Sequence, residues 1–247
     1  MVFVFRMRYN MRMEGYLYYF IVIAIMILSF AAQSHVQRVF RKYAQTPAYR
    51  GIYAAQLAQE LLLQNGLTLP VQSVAGELTD HFDPRSQVVG LSEAVYGSNS
   101  VSAYAVAAHE IGHVLQYQED YAPMRIRSAI LPVANIGSRI GPFLVFGGLL
   151  LSILTTWAGN AGYYIAMVGA ALYVAVLLFQ LVTLPVEFNA SQRGLMLLTS
   201  GGYLTDEELP AAKKMLRAAA LTYVLAALGS LVTVLRLFAV ARGARRR

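Results

Sequence analysis

Residues Gly162–Leu184 read GYYIAMVGAALYVAVLLFQLVTL, and Pro185-Val186-Glu187-Phe188-Asn189-Ala190-Ser191-Gln192-Arg193 follows at once. The first part carries no charge and is long enough to cross a hydrocarbon core as a helix. The second part is polar, so the boundary between them sets the Glu187 carboxylate at a membrane face. Three more stretches share the apolar character of the first: Tyr16–Ala32, Ile140–Trp157 and Ala218–Val240. Composition agrees with several spans. Of 247 residues 57% are hydrophobic and 13% charged, and the mean hydropathy is +0.50, too apolar for one soluble domain.

Four spans fix a topology. The segments 33–139 and 185–217 fall on one side of the bilayer, and both termini with the short Ala158–Ala161 turn fall on the other. The first span reads as a retained anchor rather than a signal peptide, because a small-x-small cleavage site followed by a polar mature start is only weakly present and the chain continues as basic helix through Arg38, Arg41 and Lys42. Arg236 stands near the end of the fourth span, where a long side chain snorkels to the interface. The net charge of +7 sits largely in Arg6, Arg8 and Arg12 and in Arg242 and Arg245–Arg247, flanking apolar runs, which points to a lipid surface and not to nucleic acid. Tyr16, Tyr18, Tyr19, Tyr163 and Tyr164 lie where an aromatic belt belongs. With no cysteine in the chain, disulfides and thiolate metal sites are excluded.

The stretch between the first two spans has the patterning of a water-facing domain. Thr46-Pro47 ahead of Ile52, Ala55, Leu57, Leu61 and Leu62, closed by Asn65-Gly66, predicts an amphipathic helix with Thr46 as its N-cap. Glu77–Phe82 and Gln87–Ser92, joined by Asp83-Pro84-Arg85-Ser86, predict a hairpin. Its second strand is a candidate edge for an extended peptide. Ser98-Asn99-Ser100 then caps a helix over Val101–Tyr117. That helix contains His109-Glu110-Ile111-Gly112-His113, an H-E-x-x-H motif. Residues four apart share a helix face, so both imidazoles reach one ion, and Glu110 is set beside the ion as an acceptor for a water proton.

Zinc in a catalytic site takes three protein ligands and one open position. The topology nominates Glu187 as the third, with an interfacial ion pair to Arg193 as the alternative use of that carboxylate. His81 and Asp83 are further candidates for ligation, although an H-x-D pair beside a proline turn is more often structural. His35 reads as an interfacial residue, and Asp206-Glu207-Glu208 behind Thr205 as a helix start.

The runs Leu78–Arg85, Val106–His113 and Leu184–Ser191 resemble those of the bacterial YugP-like membrane zinc metallopeptidases, over nearly the whole chain. The resemblance implies one Zn2+ per chain, His109 and His113 as ligands, and Glu110 as catalytic acid and base. A more distant similarity to the HtpX and CAAX-protease group implies Glu187 as the third ligand and a cytoplasmic catalytic face in the bacterial plasma membrane. That group commonly has an aspartate four residues after the ligand glutamate. Here the position is Ser191, with Asn189 or His81 as alternative supports, and Arg193 as a further residue near the metal or the substrate.

The expected protein is therefore mainly α, with about four transmembrane helices and a small α+β zincin-like catalytic segment. Its parts are a tail and anchor (1–33), the catalytic segment (34–139), a pair of spans (140–184), the third-ligand segment (185–217), and a last span with its basic tail (218–247). The expected activity is a membrane-bound zinc endopeptidase acting on peptides or membrane proteins. An intramembrane site-2-type protease is disfavoured by the polar flanks of the motif helix, and a membrane scaffold with a structural metal is the non-enzymatic alternative.

Overall fold

The computed structural model describes residues 2–154 and 160–244, and the side chains of 18–154 and 160–239. The side chains of Arg6, Arg8, Arg12, Tyr16 and Arg242, with Trp157, Ala158 and Arg245–Arg247, lie outside them. In chain order the elements are α1 (Val2–Ala44), α2 (Ala54–Gln64), β1 (Val71–Val74), β2 (His81–Asp83), β3 (Val88–Ser92), α3 (Glu93–Tyr96), α4 (Val101–Gln118), α5 (Ala122–Leu154), α6 (Ala161–Ser200) and α7 (Leu209–Ala244). The helices α1, α5, α6 and α7 each contain a stretch long and apolar enough to span a membrane. They run further than the apolar stretches alone, because their ends are finished in the compact unit that holds the soluble-type patterning. Two units result: one of Met1–Ala31, Arg127–Leu181 and Val224–Arg247, the other of Ala32–Ile126 and Val182–Tyr223.

In the first unit, lipid removes the hydrophobic drive between helices, so close backbone packing must supply it. Gly137 and Gly141 of α5 face the backbone of Leu172 and Gly169 of α6, and Gly148 faces Gly162 and Ala166; a methyl at these positions would collide with the opposing helix. Tyr18 and Tyr19 of α1 meet edge to face. The Arg236 guanidinium of α7 lies 4.8 Å from the Tyr18 ring centroid and 5.9 Å from that of Tyr19. Aromatic faces therefore receive this cation within the helix pair.

The second unit has an ordinary core. Leu57, Leu61 and Leu62 of α2, Val89 and Leu91 of β3, Tyr104 and Ile111 of α4, and Leu198, Tyr203 and Met215 are buried together. The Tyr104 hydroxyl donates to the Ile52 carbonyl at 2.7 Å, and burial pushes its pKa up to about 12. The hairpin forms as the turn chemistry requires. Asp83 accepts from the Arg85 amide at 2.9 Å and from the Ser86 hydroxyl at 2.6 Å, and β2 and β3 pair antiparallel with His81 opposite Gly90.

Several sequence expectations are corrected. The first strand of the hairpin starts at His81 and not at Glu77, because Leu78 and Gly76 adopt positive φ and cannot lie in a strand. The run Gln87–Ser92 is not an edge: β1, a short strand behind Pro70, pairs parallel to it, and the order β1-β3-β2 puts β3 in the centre. Thr46-Pro47 does not open α2. The helix begins at Ala54, where the Tyr53 amide donates to the Gln56 side chain, while Pro47 bridges to Ser100 and the Thr46 carbonyl accepts from Val101. Thr46-Pro47 thus seals the start of α4, in the extended backbone that residue pair favours. Pro185 lies inside α6, which continues to Ser200; one missing amide costs one bond that the flanking turns survive.

Candidate metal centre

The motif helix α4 is buried on nearly every side. The Ser100 hydroxyl accepts from the Ala103 amide at its start, as an N-cap should. Its crossing with α6 is made backbone to backbone. A Cβ on Gly112 would run into the Ala190 carbonyl, and one on Gly194 would meet the Ala108–His109 peptide at 2.9–3.0 Å. Glycine at both places lets the helices approach until Glu187, one turn before Ala190, reaches the histidines.

There the donor atoms converge. Glu187 Oε2 lies 3.3 Å from His109 Nε2 and 3.6 Å from His113 Nε2, and one ligand atom from each of the three lies within 4.8 Å of the others. Bonds of about 2.1 Å at tetrahedral angles put ligand atoms about 3.4 Å apart, so the spacing fits one zinc ion. Glu187 Oε2 is buried without a hydrogen-bond partner. A bare carboxylate oxygen in such a place is costly unless a cation takes it.

The far sides of both rings are spoken for. Gln116 Nε2 donates to the Val186 carbonyl at 2.8 Å and to Asn189 Oδ1 at 2.9 Å. Its Oε1 must then accept, and it lies 3.0 Å from His113 Nδ1. His113 therefore carries its proton on Nδ1 and presents the Nε2 lone pair towards Glu187. Ser191 Oγ stands 3.1 Å from His109 Nδ1, so the serine occupies the supporting position itself. Asn189 supports the site one step further out, through Gln116. Arg193 Nε donates to Asn189 Oδ1 at 2.7 Å, and its two terminal nitrogens each donate to a Glu119 oxygen at 2.7 Å. That fork ties the end of α4 to α6. Arg193 thus pairs with Glu119 and leaves Glu187 to the histidines. Its pull holds the Glu119 carboxyl below its ordinary range.

Glu110 is buried beside the pair. Burial pushes its carboxyl up, against the pull of His109 and His113. Burial acts to lower His113, but the facing Glu187 carboxylate and the charge of Glu110 leave it raised. His81 and Asp83 are not at this centre. His81 is exposed, with Nδ1 2.9 Å from the Thr79 carbonyl, and Asp83 is spent on the turn. Two contributors escaped sequence reading: Gln116, detectable only as a polar residue three after His113 on a buried helix, and Asp80, which lines the cavity beside His109 and Glu110. Asp206–Glu208 form the turn that leads into α7, the Glu208 side chain accepting from the Thr205 amide at 2.8 Å.

A helical membrane protein whose motif helix supplies two histidines and whose spanning helix supplies a glutamate belongs with the zinc metallopeptidases. Residues 18–242 match the family described as "Putative neutral zinc metallopeptidase", and the chain is a member of that family. It is 45% identical over 221 residues to "Putative membrane protease YugP" of Bacillus subtilis (strain 168), covering 89% of this chain and 94% of the relative. No solved structure matches the chain. Membership and this likeness support a protease role.

Proposed function

We propose that the protein is a zinc-dependent endopeptidase that hydrolyses peptide bonds of proteins at or near the membrane surface. The observation that carries the reading is the convergence of two Nε2 atoms on the partnerless Glu187 oxygen, with both Nδ1 atoms engaged elsewhere and Glu110 alongside. A bound zinc ion supplies the Lewis acid that polarises the scissile carbonyl and acidifies water. His109, His113 and Glu187 would hold it. Glu110 takes the proton of the attacking water and delivers it to the leaving amine, and its buried setting suits a carboxyl that must do both. The three-stranded sheet beside α4 fits a zincin-like arrangement. Membrane proximity is supported by the chain itself: Glu187 stands three residues past one apolar run, and Gln33, which lines the cavity at the site, directly follows another. The motif helix is not among the candidate spans, which favours surface over intramembrane cleavage.

Purified full-length protein in detergent should degrade an unfolded protein substrate, stop when a zinc chelator is added, and resume when zinc is restored. Chelator-resistant cleavage would refute the metal mechanism, and no cleavage with full zinc would favour a structural metal site.

The catalytic face is proposed to be cytoplasmic. Cysteines placed at Gln118 and Ala244 of this Cys-free chain should then differ towards an impermeant thiol reagent, Ala244→Cys reacting from outside intact cells and Gln118→Cys not. The opposite pattern would invert the assignment.

A further inference from the structure

The cavity beside the motif helix, about 220 Å³, opens onto His109 and Glu110. It is smaller than the roughly 300–1,000 Å³ of sites for whole drug-sized ligands, so it holds one side chain rather than a complete molecule. Its lining is mixed. Val36, Leu78, Met215 and Leu216 give it apolar wall, whereas Asp80 and Glu110 put two carboxyls on it, and no lysine or arginine lines it among the described residues.

Asp80 is the member that the hydrolytic chemistry does not use. It is half-buried, and its hydrogen bonds come from one neutral residue: Oδ1 accepts from the Ser92 amide at 2.7 Å, and the Ser92 hydroxyl lies 3.1 and 3.0 Å from its two oxygens. Among the described residues no cation pairs with it. Stapling the approach to β2 onto the end of β3 accounts for the Ser92 contacts. It does not account for a second acidic residue on the wall of a cavity that Glu110 also lines, since a second like charge there costs energy until a cation arrives.

We propose that this cavity is a specificity pocket that receives a lysine or arginine side chain of the substrate next to the scissile bond, with Asp80 as its counter-ion. The aliphatic stem lies along the apolar wall while the cationic head reaches the carboxylate, the division such side chains adopt elsewhere. An acidic side chain is excluded by the same two carboxyls. This rests on the peptidase reading above and names the substrate class for it.

The test measures binding, so it does not depend on turnover. Metal-free full-length protein is titrated into fluorescent pentapeptides identical except for a central Lys, norleucine or Glu, and anisotropy gives each Kd. The Lys peptide should bind about tenfold more tightly than the norleucine peptide, as a hydrogen bond to a charged group allows, and the Glu peptide most weakly. The advantage should shrink as salt is raised. Asp80→Asn should collapse the Lys-to-norleucine ratio towards one, while Ser92→Ala, which loosens the staple and keeps the charge, should retain it. Equal affinities for the three peptides, binding of none, or an undiminished ratio in Asp80→Asn would each overturn the pocket. The ratio in the unaltered protein needs no variant to fold. Absence of cleavage by zinc-loaded protein would instead strike the peptidase reading and leave this ratio measurable.

Discussion

Glu110→Gln is expected to retain near-stoichiometric zinc and to lose nearly all peptidase activity. The carboxylate is not one of the three converging donors, so its replacement leaves the ligand set whole. An amide cannot accept the proton of the attacking water, and general acid–base groups of this kind are worth about 10²–10⁴-fold in rate. Elemental analysis beside the peptidase rate checks both halves, and retained activity in a zinc-loaded variant would remove Glu110 from the mechanism. The same substitution carries a pH signature in metal-free protein. Burial raises the Glu110 carboxyl above its ordinary value of 4.5, so the native state keeps a proton that the unfolded chain releases. Its contribution is fully present below that ordinary value and is lost as pH rises through the raised native value. Glutamine removes the penalty. Metal-free Glu110→Gln should therefore melt higher than metal-free unaltered protein at neutral pH, with the gap closing towards pH 4.

The parts of this site written in local sequence were legible, and those depending on where two helices cross were not. His109, Glu110 and His113 are fixed by a five-residue spacing on one helix, and Ser100 as N-cap by the residues beside it. Glu187 was reachable because a topology of four apolar runs puts it on the same side as the motif. Gln116 is not legible, and Ser191 is legible only as the residue standing where the resembling group has an aspartate, since their contacts exist only once Gly112 and Gly194 have let α4 and α6 touch. Asn189 and Arg193 were visible as polar residues near Glu187, yet Arg193 offered two carboxylate partners, Glu187 in its own helix and Glu119 far off in sequence. Tertiary distance decided between them. Thr46-Pro47 misled for a related reason: the pair has the chemistry of a helix start, but the helix it borders is α4, reached across the fold. The central place of β3 was hidden by β1, whose four residues of pattern are too few to announce a strand.

Glu187→Gln should do the reverse of Glu110→Gln, weakening the hold on zinc before it touches the chemistry. The substitution exchanges an anionic ligand oxygen for a neutral one while keeping the size of a side chain buried where α4 and α6 meet. Removing only an outer support of a metal ligand typically costs 10–100-fold in affinity, so loss of a charged ligand should cost at least about that much. Protein purified without added metal should then be largely zinc-free, and activity should return in part as zinc is titrated in, because Glu110 and both histidines remain in place. Two measurements decide it: zinc bound per chain, and the zinc concentration giving half-maximal rate. Full occupancy with a normal rate would show that the orphaned oxygen holds no metal, and the third ligand would have to come from another group at the cavity, of which Asp80 is the nearest in kind. Loss of activity that excess zinc cannot restore, with zinc fully bound, would instead make Glu187 part of the proton chemistry rather than of the ligand set.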